Sequence, residues 1–289
     1  MSLSVRPLSE PALTRIGRAL ATGPHAATWA AETRRLGLED GGGAAYFGHP
    51  MALPVLQLPG WAAPDAPRER LRAAEEAALT GYLYARLQDD AVDLRHDAPA
   101  VCALASWLHQ AHRAALAQAG GAPALARADA AWARFHAAMD DEASRHRTLD
   151  WDAAAFDRSL DRLRPLALPA AALCGGALPA EAAHALEALV RAHQLHIDLC
   201  DLEDDAAQRR SSYVLVRAGG WEPADRARTL FRERVLDALL DEIHAALDEA
   251  ARWAPLAPWV HDRRARVHAT GARAWGAFLR VIVGGQAPG

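Results

Sequence analysis

Carboxylates cluster at two places along the chain, and the first cluster is formed by Asp89, Asp90 and Asp93. On a helix, residues three and four apart are neighbours, so Asp89 and Asp93 share a face with Asp90 beside them. Like charges at this spacing destabilise a helix, and anions near its C-terminal end oppose the helix dipole. Both effects indicate a bound cation, and Mg²⁺ is suited to the role because it prefers oxygen ligands. A solvated acidic helix end explains this cluster equally well when it is taken alone.

The second cluster is formed by Asp198, Asp201 and Asp205, which fall at positions i, i+3 and i+7 of one helical stripe. Leucines border the stripe on its apolar side: Leu195, Leu199 and Leu202. Two arginines and a tyrosine follow within one to two turns: Arg209, Arg210 and Tyr213. The planar guanidinium group of arginine matches the oxygens of a phosphate. A charged surface helix could carry such residues too, but two clusters on separate helices favour a site for metal ions and a phosphate-bearing ligand.

At these residues the sequence resembles the isoprenoid synthase superfamily, which contains trans-prenyltransferases, class I terpene synthases and squalene/phytoene-type synthases. Residues 89–93 match its DDxxD motif in full. Residues 194–201 resemble the QxxDDxxD second motif of prenyltransferases, with Ile197 in place of the first aspartate. Residues 201–205 also resemble the DxxxD motif of phytoene-type enzymes. The NSE motif of terpene synthases is absent from the sequence, which contains no Asn.

The resemblance implies an all-α fold, a single-domain helical bundle over residues 1–289 with a central active-site cavity. It also implies two or three Mg²⁺ ions, with ligands from both motifs: Asp89, Asp90, Asp93, Asp198, Asp201 and Asp205. The ions would bind the diphosphate of a prenyl substrate, and loss of pyrophosphate would leave an allylic cation in an apolar pocket. A homodimer is expected by analogy with the family alone.

Roles for residues outside the acidic motifs follow from the same resemblance. Three residues are expected to act on the leaving diphosphate as catalytic residues: Arg164, Arg210 and Tyr213. Three are expected to contact the substrate: Tyr84, Gln194 and Arg209. An ordinary surface arginine is the alternative for Arg164, and a packed core aromatic is the alternative for Tyr84.

Two departures from the family pattern bear on the reaction. Condensing members hold a second diphosphate with a GGKxxRP-like element and with an arginine pair shortly after the first motif. Here residues 41–46 read GGGAAY and residues 93–96 read DLRH, with a single arginine in all. These two departures favour a one-substrate reaction, cyclisation or elimination by a class I terpene synthase-like lyase.

Two other functions stay open. One is a prenyltransferase that condenses an allylic diphosphate with isopentenyl diphosphate. The other is a non-catalytic subunit that binds a prenyl diphosphate, because Ile197 replaces an acidic residue of the second motif.

The elements that must position these residues are predicted to be helices. Apolar residues recur at three- and four-residue spacing, and β-branched runs bounded by turns are nearly absent. The spacing predicts a helix or a pair of helices over 10–38, and helices over 68–92, 99–119, 123–147, 152–173, 179–207, 223–252 and 259–283. Residues 39–67 are rich in Gly and Pro and are expected to form a loop with short helical pieces. One bundle of roughly eight to ten helices accounts for the pattern.

Composition limits the partners and the compartment. All 32 Lys-plus-Arg positions are arginine, so Schiff-base chemistry at lysine is excluded and any anion site must use Arg or His. A net charge of −4 and the lack of a basic block give no indication of nucleic-acid binding. The sequence has no run of about 18 apolar residues and its N-terminus lacks an apolar signal core. We therefore expect a soluble cytoplasmic protein without a membrane span.

Overall fold

The computed structural model describes residues 17–35, 52–94 and 99–283, with side chains described in 17–32, 54–89 and 99–279. Every regular element in these ranges is helical, and no β-strand occurs among them. The predicted all-α fold is therefore confirmed, whereas the isoprenoid synthase type and its central cavity stay predictions. Within the same ranges, no helix combines the length and the apolar character needed to span a membrane.

The α-helices are, in chain order, α1 Ala26–Arg35, α2 Ala52–Ala62, α3 Arg68–Leu94, α4 Pro99–Arg145, α5 Ala153–Ser159, α6 Leu168–Leu173, α7 Ala180–Cys200, α8 Leu202–Gln208, α9 Tyr213–Arg217, α10 Pro223–Ala227, α11 Val235–Ala251 and α12 Ala257–Val283. Short 3-10 helices lie at Leu160–Ala167 and Ala254–Leu256. A π-helical turn lies at Arg228–Arg232. Residues 17–22 are also helical.

Three predicted helices are divided in the structure, two of them for an identifiable local reason. The predicted helix 152–173 contains a 3-10 segment in which Pro165 lacks the N–H group needed for an α-helical hydrogen bond. The predicted helix 223–252 is interrupted by the π-helical turn and then by Arg234, whose φ of 60° is left-handed. The predicted helix 179–207 ends at Cys200 and resumes at Leu202, so that Asp201 occupies the junction.

The two helices predicted over 99–119 and 123–147 form the two halves of α4. Gly121 separates the halves with φ 69° and ψ −164°, a conformation that a residue with a Cβ atom rarely adopts. Pro123 follows two residues later and cannot donate a backbone hydrogen bond. The boundary predicted between residues 119 and 123 therefore corresponds to this kink.

The helices form two compact units, each of which is described separately. The first contains the described residues up to Met139 together with Asp161–Pro179. The second contains Asp140–Leu160 together with the described residues from Ala180 onward. That residues 1–289 make a single domain stays a prediction.

In the first unit, α3 packs against α2 and α6. Its inner face carries fully buried leucines: Leu79, Leu83 and Leu87. Each contributes about 1.5–3 kcal/mol relative to an exposed side chain. Arg70 donates hydrogen bonds to the carbonyl oxygens of Ala119 at 2.7 Å and Ala172 at 3.2 Å. These contacts fix α3 against the kink of α4 and against α6, and so position the acidic residues at the end of α3.

In the second unit, α7 packs against α9 and α11, and α11 packs against α12. Buried residues at helical spacing face this layer from α11: Leu239, Ile243 and Leu247. Leu189 and Leu195 are fully buried on α7. This apolar packing holds the last turns of α7, which carry the first residues of the second acidic cluster.

Candidate functional site

Asp89 lies near the C-terminal end of α3 and is held by two arginines of the first unit. Its Oδ2 accepts a hydrogen bond from Arg86 Nη1 at 2.9 Å, one turn earlier on the same helix. Its Oδ1 accepts one from Arg162 Nη1 at 3.3 Å, which comes from the 3-10 helix Leu160–Ala167. The Arg162 side chain is only 13% exposed, so part of this interaction is shielded from water. The two guanidinium groups provide the cationic compensation that the acidic helix end requires.

Three other predicted residues lie on the two helices that carry Asp89 and Arg162. Asp90 and Asp93 belong to α3, but their side chains lie outside the described residues. Arg164 forms an ion pair with Asp161 of the same 3-10 helix, and its side chain is 55% exposed. The roles predicted for these three residues stay predictions.

Tyr84 is buried in an aromatic cluster of the first unit. Its ring stacks on His109 at a centroid distance of 4.8 Å and meets Trp132 edge-on at 4.9 Å. Its hydroxyl oxygen lies 3.1 Å from His136 Nε2. Burial raises the pKa of Tyr84, so its hydroxyl stays protonated at neutral pH. These contacts agree with the packed core aromatic considered from the sequence, and a substrate contact for Tyr84 stays a prediction.

The second acidic cluster spans the junction of α7 and α8. Gln194 Nε2 donates to Asp198 Oδ1 at 2.6 Å, and Asp198 is 8% exposed. The Asp201 N–H donates to the Ile197 carbonyl at 2.9 Å, and the Asp201 carbonyl accepts from the Asp205 N–H at 2.8 Å. Both hydrogen bonds have the i to i−4 helical pattern, although the helix itself is interrupted at Asp201, which is exposed while Asp198 is buried.

Asp201 lies in an unfavourable environment for a negative charge. The residue is exposed, yet nearby protein atoms partly desolvate its carboxyl group and raise its pKa. Arg210 opposes this effect, and the like charge of Asp204 adds to it. A carboxylate in this environment would be stabilised by a bound cation.

Hydrogen-bond donors accumulate directly after α8. Arg210 pairs with Asp205, with 3.1 Å between Nη2 and Oδ1. The Arg210 Nε and Ser211 Oγ atoms are buried and have no hydrogen-bond partner within the described part of the chain. Buried donors normally have an acceptor. The oxygens of an anion would satisfy both groups, and hydrogen bonds from a charged guanidinium group are among the stronger ones.

Neighbouring contacts fix the segment that carries these donors. Arg209 ends α8 with a left-handed φ of 52°, and its side chain is exposed. The Ser211 N–H donates to the His146 carbonyl at 2.7 Å. Tyr213 begins α9, and its ring stacks on Phe156 at a centroid distance of 4.7 Å. The backbone of the donor segment is therefore anchored on both sides of Ser211.

The donor set decides whether these residues suit Mg²⁺. Among the side chains that the structure describes, no three or more of His, Cys, Asp and Glu are grouped in a way that could hold a metal ion. The described candidates are all carboxylates, the donor type that Mg²⁺ prefers, and a cation would relieve the raised pKa of Asp201. The donor chemistry thus fits Mg²⁺, and its binding stays a prediction.

Sequence reasoning did not single out Arg162 or Ser211. Arg162 stands two positions before Arg164, and the choice between them depends on which residue the 3-10 helix directs towards Asp89. Ser211 follows Arg210 directly, so its position beside an arginine pair was the available signal.

No protein-family model, curated protein or solved structure matches the chain.

Proposed function

We propose that the chain is a Mg²⁺-dependent enzyme that ionises an allylic prenyl diphosphate and then cyclises or deprotonates the cation, releasing pyrophosphate. The observation that carries the proposal is the group at the junction of α7 and α8. There, a stripe of three aspartates is followed by Arg210 and Ser211, whose buried donor atoms have no acceptor among the described residues. Carboxylates for a cation and unsatisfied donors for an anion are the two requirements of a metal–diphosphate site.

Metal ligands are proposed within each unit, among the acidic residues of its own motif. In the second unit these are Asp198, Asp201 and Asp205, and in the first unit they are Asp89, Asp90 and Asp93. Mg²⁺, when bound, supplies positive charge that stabilises a departing diphosphate. Gln194 holds Asp198 through its 2.6 Å hydrogen bond and so orients one proposed ligand.

The donors after α8 are proposed to bind the diphosphate directly. Arg210 Nε and Ser211 Oγ would donate to its oxygens, and Arg210 Nη2 would stay on Asp205. The exposed Arg209 would add positive charge at the edge of the site. Such charge favours bond cleavage because negative charge develops on the leaving group as the carbon–oxygen bond breaks.

An assay of pyrophosphate release tests the proposal. Purified protein is incubated with Mg²⁺ and farnesyl or geranylgeranyl diphosphate, and the organic products are identified. Release from one allylic diphosphate alone, abolished by EDTA, is the expected result. Release that requires isopentenyl diphosphate would identify a condensing enzyme instead. Tight binding of the allylic diphosphate without turnover would identify a non-catalytic binding subunit.

A further inference from the structure

Polar side chains join α7 to α12 inside the second unit. Arg263 of α12 donates a hydrogen bond from Nη2 to Nδ1 of His193. One turn further along α7, His196 Nε2 lies 3.0 Å from the hydroxyl oxygen of Thr270. Arg273 Nη2 donates to the same hydroxyl at 3.0 Å. These five residues are called the α7–α12 seam.

Arg263 is a buried cation without a buried counter-charge. It is 3% exposed, and no acidic residue in the described ranges forms an ion pair with it. Its hydrogen-bond partner is a histidine nitrogen, which must be unprotonated to accept and so contributes no negative charge. Its Nε is buried and has no acceptor among the described residues. Leaving a buried charge unpaired is strongly unfavourable, so this arrangement indicates a missing anion.

Further positive charge lies along the same face of α12. Arg266, Thr270 and Arg273 follow Arg263 at helical spacing of three and four residues. Neither Arg266 nor Arg273 forms an ion pair within the described part of the chain. Arg264, one residue from Arg263, differs because it pairs with Asp248. The face towards the seam therefore carries three arginines with no compensating carboxylate, while the neighbouring arginine is paired normally.

His196 and Arg263 respond to burial and to this accumulation of charge. Burial, and then the charges of Arg263, Arg273, Arg266 and His244, lowers the pKa of His196 to about 4. Burial and the charge of Arg266 lower the pKa of Arg263 to about 10, so its guanidinium group stays charged at neutral pH.

We propose that the α7–α12 seam binds a phosphate-type oxyanion, one of whose oxygens accepts a hydrogen bond from Arg263 Nε and whose charge is balanced by Arg266 and Arg273. Arginine guanidinium groups recognise phosphate oxygens through planar pairs of N–H donors. Free inorganic phosphate and the phosphate group of an ester share this chemistry. Bound anion would stabilise the folded protein, because it binds the folded seam and not the unfolded chain.

This site is separate from the one proposed for the prenyl diphosphate. His193 and His196 lie on roughly the opposite side of α7 from Gln194 and Asp198, since a helix advances about 100° per residue. No carboxylate of the seam is available to hold a metal ion. The seam therefore binds its anion without Mg²⁺, and the inference does not depend on the proposed enzymatic activity.

The test measures anion binding in EDTA, so that a Mg²⁺-dependent diphosphate site is silent. The full chain is titrated with inorganic phosphate and, separately, with glycerol phosphate, at constant ionic strength set with chloride. Calorimetry gives the affinity, and thermal unfolding gives the stabilisation. We expect phosphate to bind and to raise the Tm of the wild-type chain. Stronger binding of the ester would identify a phosphate monoester as the natural ligand, and stronger binding of phosphate would identify the free ion.

Three variants distinguish the seam from general attraction of anions to arginines. Arg263→Gln is expected to weaken phosphate binding about tenfold or more, as loss of a charge-assisted hydrogen bond would. Arg273→Gln, at an exposed position, is expected to weaken it several-fold without any risk to folding. Arg264→Gln is the matched control and should bind as the wild type does. Undetectable binding to the wild type, or equal losses in Arg263→Gln and Arg264→Gln, would overturn the proposal.

Discussion

Arg162 donates a hydrogen bond to Asp89 at 3.3 Å across 73 residues of sequence, and it joins the 3-10 helix Leu160–Ala167 to the end of α3. Asp89 is thereby in contact with two guanidinium groups, since Arg86 donates to its other oxygen. A metal ion bound at Asp89 would replace part of this arginine contact. Binding of the proposed metal ion would therefore compete with a contact between segments far apart in sequence.

The first prediction concerns Asp89→Ala. It is expected to abolish Mg²⁺-dependent pyrophosphate release, because a proposed metal ligand is lost. It should also lower the free energy of unfolding by about 1 kcal/mol, because two partly exposed ion pairs disappear. Turnover is followed by the pyrophosphate assay, and stability by urea unfolding monitored by circular dichroism. Asp129→Ala, which removes a surface pair with Arg113, is the control and should retain activity. Full activity in Asp89→Ala would exclude Asp89 as a ligand.

The second prediction concerns the donors after α8. Arg210→Gln is expected to weaken Mg²⁺-dependent binding of pyrophosphate about tenfold to a hundredfold, through loss of charge-assisted hydrogen bonds. Ser211→Ala should weaken it less, and should not destabilise the fold, because its buried hydroxyl has no partner among the described residues. Calorimetric titration with pyrophosphate in the presence of Mg²⁺ measures both effects. Arg228→Gln, at an exposed arginine paired with Asp225, is the control. Unchanged affinity in Arg210→Gln would remove this arginine from the site.

The third prediction uses the raised pKa of Asp201. When the pKa of a carboxyl group is higher in the folded than in the unfolded state, ionisation of that group destabilises the fold. The penalty is complete above the folded pKa, and it fades as the pH falls through that value. Asp201→Asn should therefore raise the Tm at pH 7 and lose this advantage in acid. It should also lose the stabilisation that Mg²⁺ gives to the wild type. Differential scanning calorimetry with Mg²⁺ and with EDTA measures both.

The matched control for that experiment is Asp262→Asn, at an exposed aspartate of α12. It should leave the response to Mg²⁺ as in the wild type. An Asp201→Asn variant that is stabilised by Mg²⁺ as strongly as the wild type would show that Asp201 is not a ligand.

The fourth prediction concerns His112, which is fully buried and whose Nδ1 lies 2.7 Å from the Ala77 carbonyl. Burial lowers its pKa to about 4. The unfolded chain protonates near the ordinary pKa of about 6.5, so folding stability is lost as the pH falls from there to about 4. The full shift corresponds to about 3 kcal/mol. Urea unfolding as a function of pH should show this loss.

His112→Gln should reduce the loss, since an amide can still donate to Ala77 and does not titrate. Part of the loss should remain, because burial also lowers the pKa of His196 to about 4. His184→Gln, at a histidine that is 64% exposed, is the control and should follow the wild-type curve. A wild-type stability that is constant between pH 6.5 and 4 would contradict the prediction.

The helical class was predictable because it depends on apolar spacing, which is local. The break near Gly121 was predictable for the same reason, since Gly can adopt a left-handed φ and Pro has no N–H to donate, wherever they occur. The division of 152–173 by a 3-10 segment was not predicted, although Pro165 stands in the sequence. A proline excludes one hydrogen bond, but it does not determine which helical form replaces it.

The environment of individual arginines was not predictable. Arg263 and Arg264 are adjacent and chemically identical, yet one is 3% exposed beside a histidine and the other pairs with Asp248. Their difference depends on the rotation of α12 about its axis against α7 and α11. The contact between Arg162 and Asp89 depends in the same way on packing between segments far apart in sequence. Patterns along the chain identify candidate charges, and only the packed helices determine which of them lack a counter-charge.

The kink of α4 has a consequence for the dynamics of the chain. Because Gly121 departs from helical geometry and Pro123 has no N–H group, the hydrogen-bonded ladder of this 47-residue helix is interrupted at one point. We therefore expect each half of α4 to unfold locally by itself. Local unfolding of one half should not extend into the other, because no continuous series of helical hydrogen bonds joins them. In hydrogen–deuterium exchange, protection should reach separate plateaus on either side of residues 120–123. The longest helix of the described chain is thus expected to behave as two cooperative segments of the folded state in place of one.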